Sequence, residues 1–196
     1  MKYPRIIAIC GYKQSGKDSI ANVLMEKYKY VRVALADPIK RMARNIDPWI
    51  PIDGHDFPEM WIKYGEMARL SRIVDDYGDV VSKEVPEIRR FYQRLGTEGA
   101  WDLFGQDVWV DTLLRFISPV TDDSKFVIPD MRHPHEADAF SMVGAVLWRV
   151  YRPGTGINLS HTSESEIDKI KVDTIIDNDG TLDDLAASVK MMMKKY

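Results

Sequence analysis

Gly11-Tyr12-Lys13-Gln14-Ser15-Gly16-Lys17-Asp18-Ser19 is the stretch on which the reading of this chain turns. An apolar, β-rich run, Ile6-Ile7-Ala8-Ile9-Cys10, precedes it, and a helix-like segment, Ser19 to Tyr28, follows. Strand, Gly-x4-Gly-Lys and helix, in that order, are the context a phosphate-binding loop needs. Successive backbone N–H groups of such a loop point into a concavity, and a helix beginning near Gly16 adds the positive end of its dipole. Gly11 allows a sharp exit from the strand, Gly16 lets the backbone approach phosphate oxygens, and Lys17 reaches the β- and γ-phosphates as a point charge. Lys13 is a second cation within the loop. The plainer alternative, a Gly/Lys surface turn, leaves the flanking strand and helix unexplained.

The loop departs from the usual pattern at one place. Ser or Thr normally follows the lysine and ligates Mg²⁺; here Asp18 follows, and the hydroxyl comes one residue later at Ser19. Either Asp18 takes the metal role through water, or Ser19 takes it after a local shift. A carboxylate at a helix N-terminus is also favoured by the dipole alone, so capping is the competing account of Asp18.

Outward from the loop, β-branched runs alternate with helical patterns. Strands are predicted at 5–10, 31–36, 125–129, 145–151 and 173–177, and helices at 19–28, 38–46, 59–75, 84–97, 107–117, 134–143 and 181–194. That alternation implies right-handed βαβ units: an α/β, P-loop NTPase-type three-layer sandwich with a five-stranded, mainly parallel sheet and helices on both faces. Ligands of such sheets collect at the carboxyl ends of the strands, where the chain places its loop, Asp37 with Lys40, Asp130 with Arg132, Arg152 and Asn178. One P-loop domain over 1–196 is expected. Pro48, Pro51, Gly54 and Pro58 break the pattern after 47, so 47–97 reads as a substrate-binding insertion, and the polar, Gly-containing stretch 152–170 reads as a lid.

Composition narrows the classes. A formal net charge of −3 argues against a nucleic-acid binder, which carries a basic face. One cysteine excludes a disulfide framework and fits a reducing cytosol. No run approaches the roughly 20 apolar residues of a membrane span.

Four further constellations carry chemistry. Asp37 and Pro38 suit a helix start, but Lys40 and Arg41 set two cations against the dipole there, which a bound phosphate would relieve. Asp130 ends a strand beside Arg132: the acid suits Mg²⁺ or its water, and the guanidinium suits charge on a transferred phosphoryl group, against the alternative of a structural pair. His135 and Glu136 lack metal-ligand spacing and read as supporting or helix-capping groups. Arg90 and Gln93 share a helix face that suits an anionic, planar ligand, against a solvated basic helix capped by Gly96. Asn178-Asp179-Gly180-Thr181 is a turn and N-cap that lies where a purine would border the loop.

Together these motifs resemble the bacteriophage-type deoxynucleoside monophosphate kinases of the P-loop nucleoside-monophosphate-kinase group. The matching stretches are Gly11-x-Lys13-x-Ser15-Gly16-Lys17-Asp18-Ser19, Pro38-Ile39-Lys40, Arg89-Arg90-x-x-Gln93-x-Leu95-Gly96-Thr97, Pro129-Asp130-x-Arg132-x-x-His135-Glu136, Arg152-Pro153-Gly154, His161-x-x-Glu164 and Asn178-Asp179-Gly180-Thr181-Leu182. The Gly-Lys-Asp variant is shared with that family, and 47–83 departs from its pattern. The resemblance implies transfer of the γ-phosphoryl group of ATP, with Mg²⁺, to a deoxynucleoside 5′-monophosphate. It implies ATP at Gly11, Lys13, Ser15, Gly16, Lys17, Asp18, Ser19, Asn178 and Gly180, and metal at Asp18, Ser19 or Asp130. It implies catalytic roles for Lys17, Asp130, Arg132 and Arg152, and acceptor contacts from Asp37, Lys40, Arg90, Gln93, Thr97, Arg132, His161 and Glu164. Small-molecule nucleotide partners, a homodimer supported by helix 107–117, and a cytoplasmic location (the host's, if phage-encoded) belong to the same expectation. The rival readings are a related kinase for phosphomevalonate or dephospho-coenzyme A, and a nucleotide-binding switch without turnover.

Overall fold

Burial explains the central strand. In the computed structural model, which describes residues 3–119, 123–155 and 166–196, β1 (Ile6–Cys10) is buried along its whole length. A strand buried on both faces belongs in the middle of a parallel sheet. Among the described residues, β2 (Tyr30–Arg32), β5 (Lys125–Ile128), β6 (Val146–Tyr151) and β7 (Thr174–Asp177) join it in the order β2-β5-β1-β6-β7, every neighbour parallel. Ile7 sits opposite Val127 on one side and Val146 on the other. Ile7 and Ile9 pack with Val127, Trp148 and Val150 against Ile20 and Leu24 of α1 (Lys17–Tyr28) and Leu185 and Val189 of α9 (Leu182–Met193). Ile6, Ala8 and Cys10 point the other way and are equally buried, so both faces of the sheet are covered. This is the expected P-loop NTPase-type α/β fold, and Cys10 is the small buried hydrophobe its position suggests.

The chain divides into two compact units, Met1–Leu35 with Trp109–Tyr196, and Ala36–Val108. The first holds the sheet, together with α7 (Val108–Ile117) from Trp109 on and α8 (Pro134–Met142). The second contains α2 (Ala36–Ile46), β3 (Trp49–Pro51), α3 (Pro58–Tyr64), β4 (Met67–Arg69), α4 (Leu70–Ser82), α5 (Pro86–Gly96) and α6 (Asp102–Phe104) around its own apolar cluster, including Ile50, Met60, Leu70, Ile73 and Ile88. The expected insertion 47–97 lies within it. Composition gives no hint of the division, because both cores draw on the same aliphatic residues.

Several boundaries differ from expectation for identifiable reasons. The second strand ends at Arg32 rather than Ala36: Val33 still donates to Val127 O at 3.1 Å, but the Leu35 amide is taken by Asp130 Oδ1 at 2.9 Å, and α2 starts at Ala36. Asp37 therefore lies inside the first turn of α2 rather than at its cap. The helix expected over 59–75 is interrupted at Gly65, whose φ of 77° ends α3. There β4 pairs antiparallel with β3, Trp49 opposite Arg69, whose guanidinium lies 4.5 Å from the indole ring. Gly96 does not cap α5. It keeps helical angles (φ −70°, ψ −39°), and the chain continues into a π-turn, Thr97–Trp101. His161 and Glu164, with 156–165 of the expected lid, lie outside the described residues.

Candidate active site

The loop leaves β1 through Gly11 (φ 147°) and enters α1 through Gly16, which takes a left-handed conformation (φ 106°, ψ 13°) as the N-cap. The N-cap, a glycine, offers no side chain to the amides of the first turn of α1, and a helix N-terminus of this kind favours an anion. Sequence reading explains the two glycines by chain direction and phosphate access; the structure adds crowding. A Cβ at Gly11 would lie 2.6 Å from Val150 O, and one at Gly16 would lie 2.4 Å from Asn178 Nδ2. The Lys17 ammonium donates to Gly11 O at 2.7 Å and to Tyr12 O at 2.6 Å. Lys13 is exposed.

Ser15 and Asn178, both expected at the nucleotide, face inward instead. Ser15 is fully buried, and its N–H donates to Tyr12 O at 3.1 Å. Asn178 is 6% exposed. Its side-chain nitrogen donates to Ser15 O at 2.8 Å, and its backbone N–H donates to Tyr151 O at 2.7 Å. Both residues are committed to the shape of the loop. Gly180 stands over the capping box of α9, where a Cβ would come within 2.7 Å of Asp184 Oδ2, and Asp184 in turn accepts from the Thr181 amide at 2.9 Å.

Around the loop, Asp18 points to solvent, its side chain 81% exposed and 3.7 Å from Arg32. Ser19 is half-buried. Asp130 follows β5 and spends Oδ1 on the Leu35 amide. Arg132 is exposed, but its backbone is fixed: Glu136 Oε2 accepts from the amides of Arg132 (2.6 Å) and His133 (3.0 Å). Glu136 is thus the helix-capping residue that its position suggests. Burial pushes its carboxyl up from the ordinary range, against the pull of those two N–H groups. Arg152 follows β6 in a turn closed by Thr155 Oγ1 on Arg152 O at 2.7 Å. Among the described residues no cluster of three or more His, Cys, Asp or Glu forms a metal cage. Asp18 and Ser19 lie in the first turn of α1 and Asp130 just after β5; oxygen donors of this kind are those a magnesium ion takes beside phosphates and water.

Of the expected acceptor residues, Asp37, Lys40, Arg90, Gln93 and Thr97 sit in the second unit and Arg132 in the first. Lys40 Nζ lies 2.5 Å from Asp79 Oδ2, and one turn along, Arg44 lies 2.7 Å from Asp75. Arg90, Gln93 and Thr97 are all exposed, at helical spacing, and Arg90 contacts Glu87 at 3.2 Å. Sequence reading missed Asp75 and Asp79. Their spacing of four matches that of Lys40 and Arg44, and that was the available signal. It also missed Tyr12, whose hydroxyl donates to Asp168 Oδ2 at 2.6 Å, and Glu166, 2.7 Å from His133 Nδ1.

A parallel sheet that carries Gly-x4-Gly-Lys between its first strand and the helix that follows, with an acid and an arginine beyond a neighbouring strand, defines a P-loop nucleotide-binding protein. Residues 5–46 and 56–189 match the family model for deoxynucleotide monophosphate kinase, and the chain belongs to that family. The match omits 47–55 and resumes at 56, so most of the stretch that departs from the resemblance is nevertheless covered. The deoxynucleotide monophosphate kinase of Enterobacteria phage T4 is 27% identical, over 97% of this chain and 99% of that one. The kinase of the same name from Escherichia phage RB69 is 23% identical, over 96% and 99%. A dephospho-CoA kinase from Campylobacter jejuni shares 12% identity over 97% of this chain and 96% of its own, with a TM-score of 0.47, too loose a likeness to bear weight. The protein is an enzyme of the kinase class.

Proposed function

We propose that the enzyme transfers the γ-phosphoryl group of ATP to the 5′-phosphate of a deoxynucleoside monophosphate, giving ADP and the deoxynucleoside diphosphate. The observation that carries this is the loop itself: a helix N-terminus behind Gly16, with the Lys17 ammonium resting on the carbonyls of Gly11 and Tyr12. An acceptor phosphate oxygen attacks the γ-phosphorus, and the bond to the β–γ bridging oxygen breaks. The acceptor is already an anion near neutral pH, so the work lies in positioning and charge neutralisation rather than proton removal.

Lys17, Lys13 and the loop amides hold the ATP phosphates, with Gly180 bordering the adenine and Ser15 and Asn178 shaping the loop. Asp18, Ser19 and Asp130 would hold Mg²⁺, which would supply positive charge against that of the triphosphate. Arg132 and Arg152 meet the charge on the transferred group. Asp37, Lys40, Arg90, Gln93, Thr97 and Arg132, with His161 and Glu164, take the acceptor, and 47–97 is the substrate-binding part of one kinase domain. A homodimer and a cytoplasmic location are part of the same proposal; no described helix is long and apolar enough to cross a membrane.

A coupled ADP-release assay across the common nucleoside and deoxynucleoside monophosphates tests the reading. Release that depends on a deoxynucleoside monophosphate supports it. Release only with dephospho-coenzyme A or phosphomevalonate, or ATP binding without acceptor-dependent turnover, overturns it.

A further inference from the structure

At the C-terminal end of the expected lid, before β7, lies a short 3₁₀ turn, Ile167–Lys169. Sequence reading makes it part of a lid, yet it is firmly held. Ile167 and Ile170 are 2% and 3% exposed. From β6, the Arg149 guanidinium donates to Ile167 O at 2.9 Å, to Asp168 O at 3.4 Å and to Ile170 O. Arg149 pairs in register with Cys10, the last residue before the phosphate loop. All three carbonyls gather on Nη2, one end of the guanidinium, which ties the turn to the central sheet.

The turn presents two carboxylates, and each reaches a different catalytic loop. Asp168 Oδ2 accepts from the Tyr12 hydroxyl at 2.6 Å, and Tyr12 O is one of the two carbonyls that hold the Lys17 ammonium. Glu166 Oε2 lies 2.7 Å from His133 Nδ1; His133 follows Arg132, and Glu136 binds the amides of both. That contact holds the Glu166 carboxyl below its ordinary range. Two relays therefore start from one turn of chain. One runs from Asp168 through Tyr12 to Lys17, and the other from Glu166 through His133 to the backbone of Arg132.

We propose that the Ile167–Lys169 turn sets the spacing between Lys17 and Arg132, with Tyr12, Asp168, His133 and Glu166 as positioning residues for phosphoryl transfer. This rests on the reading that Lys17 and Arg132 serve the same phosphoryl group. Neither relay needs to touch substrate. Its effect is geometric: both charges must meet one group in flight, and a misplacement of about 1 Å costs on the order of 10²-fold in rate. A hydrogen bond that merely tied down surface chain would leave turnover alone.

The experiment is a double-mutant cycle on the full-length enzyme with ATP and its best acceptor, reading kcat, both KM values and Tm. Tyr12→Phe and Asp168→Asn are each expected to lower kcat about tenfold, part of the misplacement penalty, with the acceptor KM and Tm unchanged. The double variant should be no slower than either single one, because both remove the same bond. Glu166→Gln should slow the wild-type enzyme but add nothing in an Arg132→Ala background. Losses that multiply in the Tyr12/Asp168 cycle, unchanged kcat in both single variants, or a kcat loss that only follows a falling Tm would overturn the proposal. Lys17→Met is run alongside. If it turns over normally, the phosphate-loop reading has failed; if it is inactive while the relay variants behave as wild type, only the positioning role has failed.

Discussion

Lys17 and Lys40 each lie in the first turns of a helix that follows a strand end, yet their surroundings differ. Lys17 rests on two main-chain carbonyls, at 2.7 and 2.6 Å. Lys40 rests on a full negative charge, the Asp79 carboxylate at 2.5 Å. The pattern extends beyond the pair: in the first unit, backbone dipoles and buried side chains hold the loop and the Arg132 backbone, while in the second, Lys40, Arg44 and Arg90 each face a carboxylate. A carbonyl steadies an ammonium without cancelling it, so an arriving phosphate meets most of the charge at once. A carboxylate must be displaced or shared. The first arrangement suits a site preorganised for a transition state; the second suits one where binding exchanges one anion for another.

The contrast ranks the expected losses. Lys17→Met should leave the fold intact, since the ammonium donates to carbonyls of its own loop, and should lower kcat by about 10³-fold, the scale of a single transition-state charge. Steady-state kinetics with ATP saturating, beside a Tm measurement, checks both halves; near-normal turnover would break the comparison at its stronger end. Arg132→Ala should cost about 10²-fold in kcat with little change in the ATP KM, because an exposed guanidinium on a pinned backbone acts chiefly when charge develops. An effect confined to KM would move Arg132 from chemistry to binding. Lys40→Ala, on the other side, should raise the acceptor KM about tenfold, one phosphate contact, and leave kcat within a fewfold of wild type. A collapse of kcat there would mean that the second unit also acts on the transition state, and the two lysines would then differ only in their resting partners.

What the sequence disclosed follows the same division. The sheet and its loop were legible because their determinants are local: β-branched runs, two glycines and a lysine at fixed spacing. Glu136 was legible as a cap for the same reason. The second unit was not. Gly65 splits one helical pattern into a helix and a strand, and Gly78, with φ 75° and ψ 166°, breaks α4 just before Asp79. Neither glycine declares its conformation from its neighbours in the chain. Asn178 was placed beside the loop correctly, but its direction was beyond reach, since its amide meets a carbonyl 163 residues away. Tyr12–Asp168 and Lys40–Asp79 were hidden likewise: each links distant segments, and each partner alone reads as a solvated surface group.

The smallest expected effect probes the contrast most directly. Asp79→Asn removes the charge that occupies Lys40 and keeps the side-chain shape. The pair is partly exposed, the Lys40 and Asp79 side chains being 20% and 42% accessible, so its loss should cost stability only in the range of about 0–1 kcal/mol. For the acceptor the sign is opposite: its phosphate no longer competes with a carboxylate, so its KM should fall about threefold, within the worth of one such exposed pair, while kcat and the ATP KM stay put. Added salt should narrow the gap between Asp79→Asn and wild type, because it screens the pair that the wild type must break. Were the acceptor KM instead to rise, Asp79 would be holding Lys40 in its binding position rather than occupying it. The carboxylate would then be doing for Lys40 what the loop carbonyls do for Lys17, and the difference between the two units would lie in the strength of the support, not in its kind.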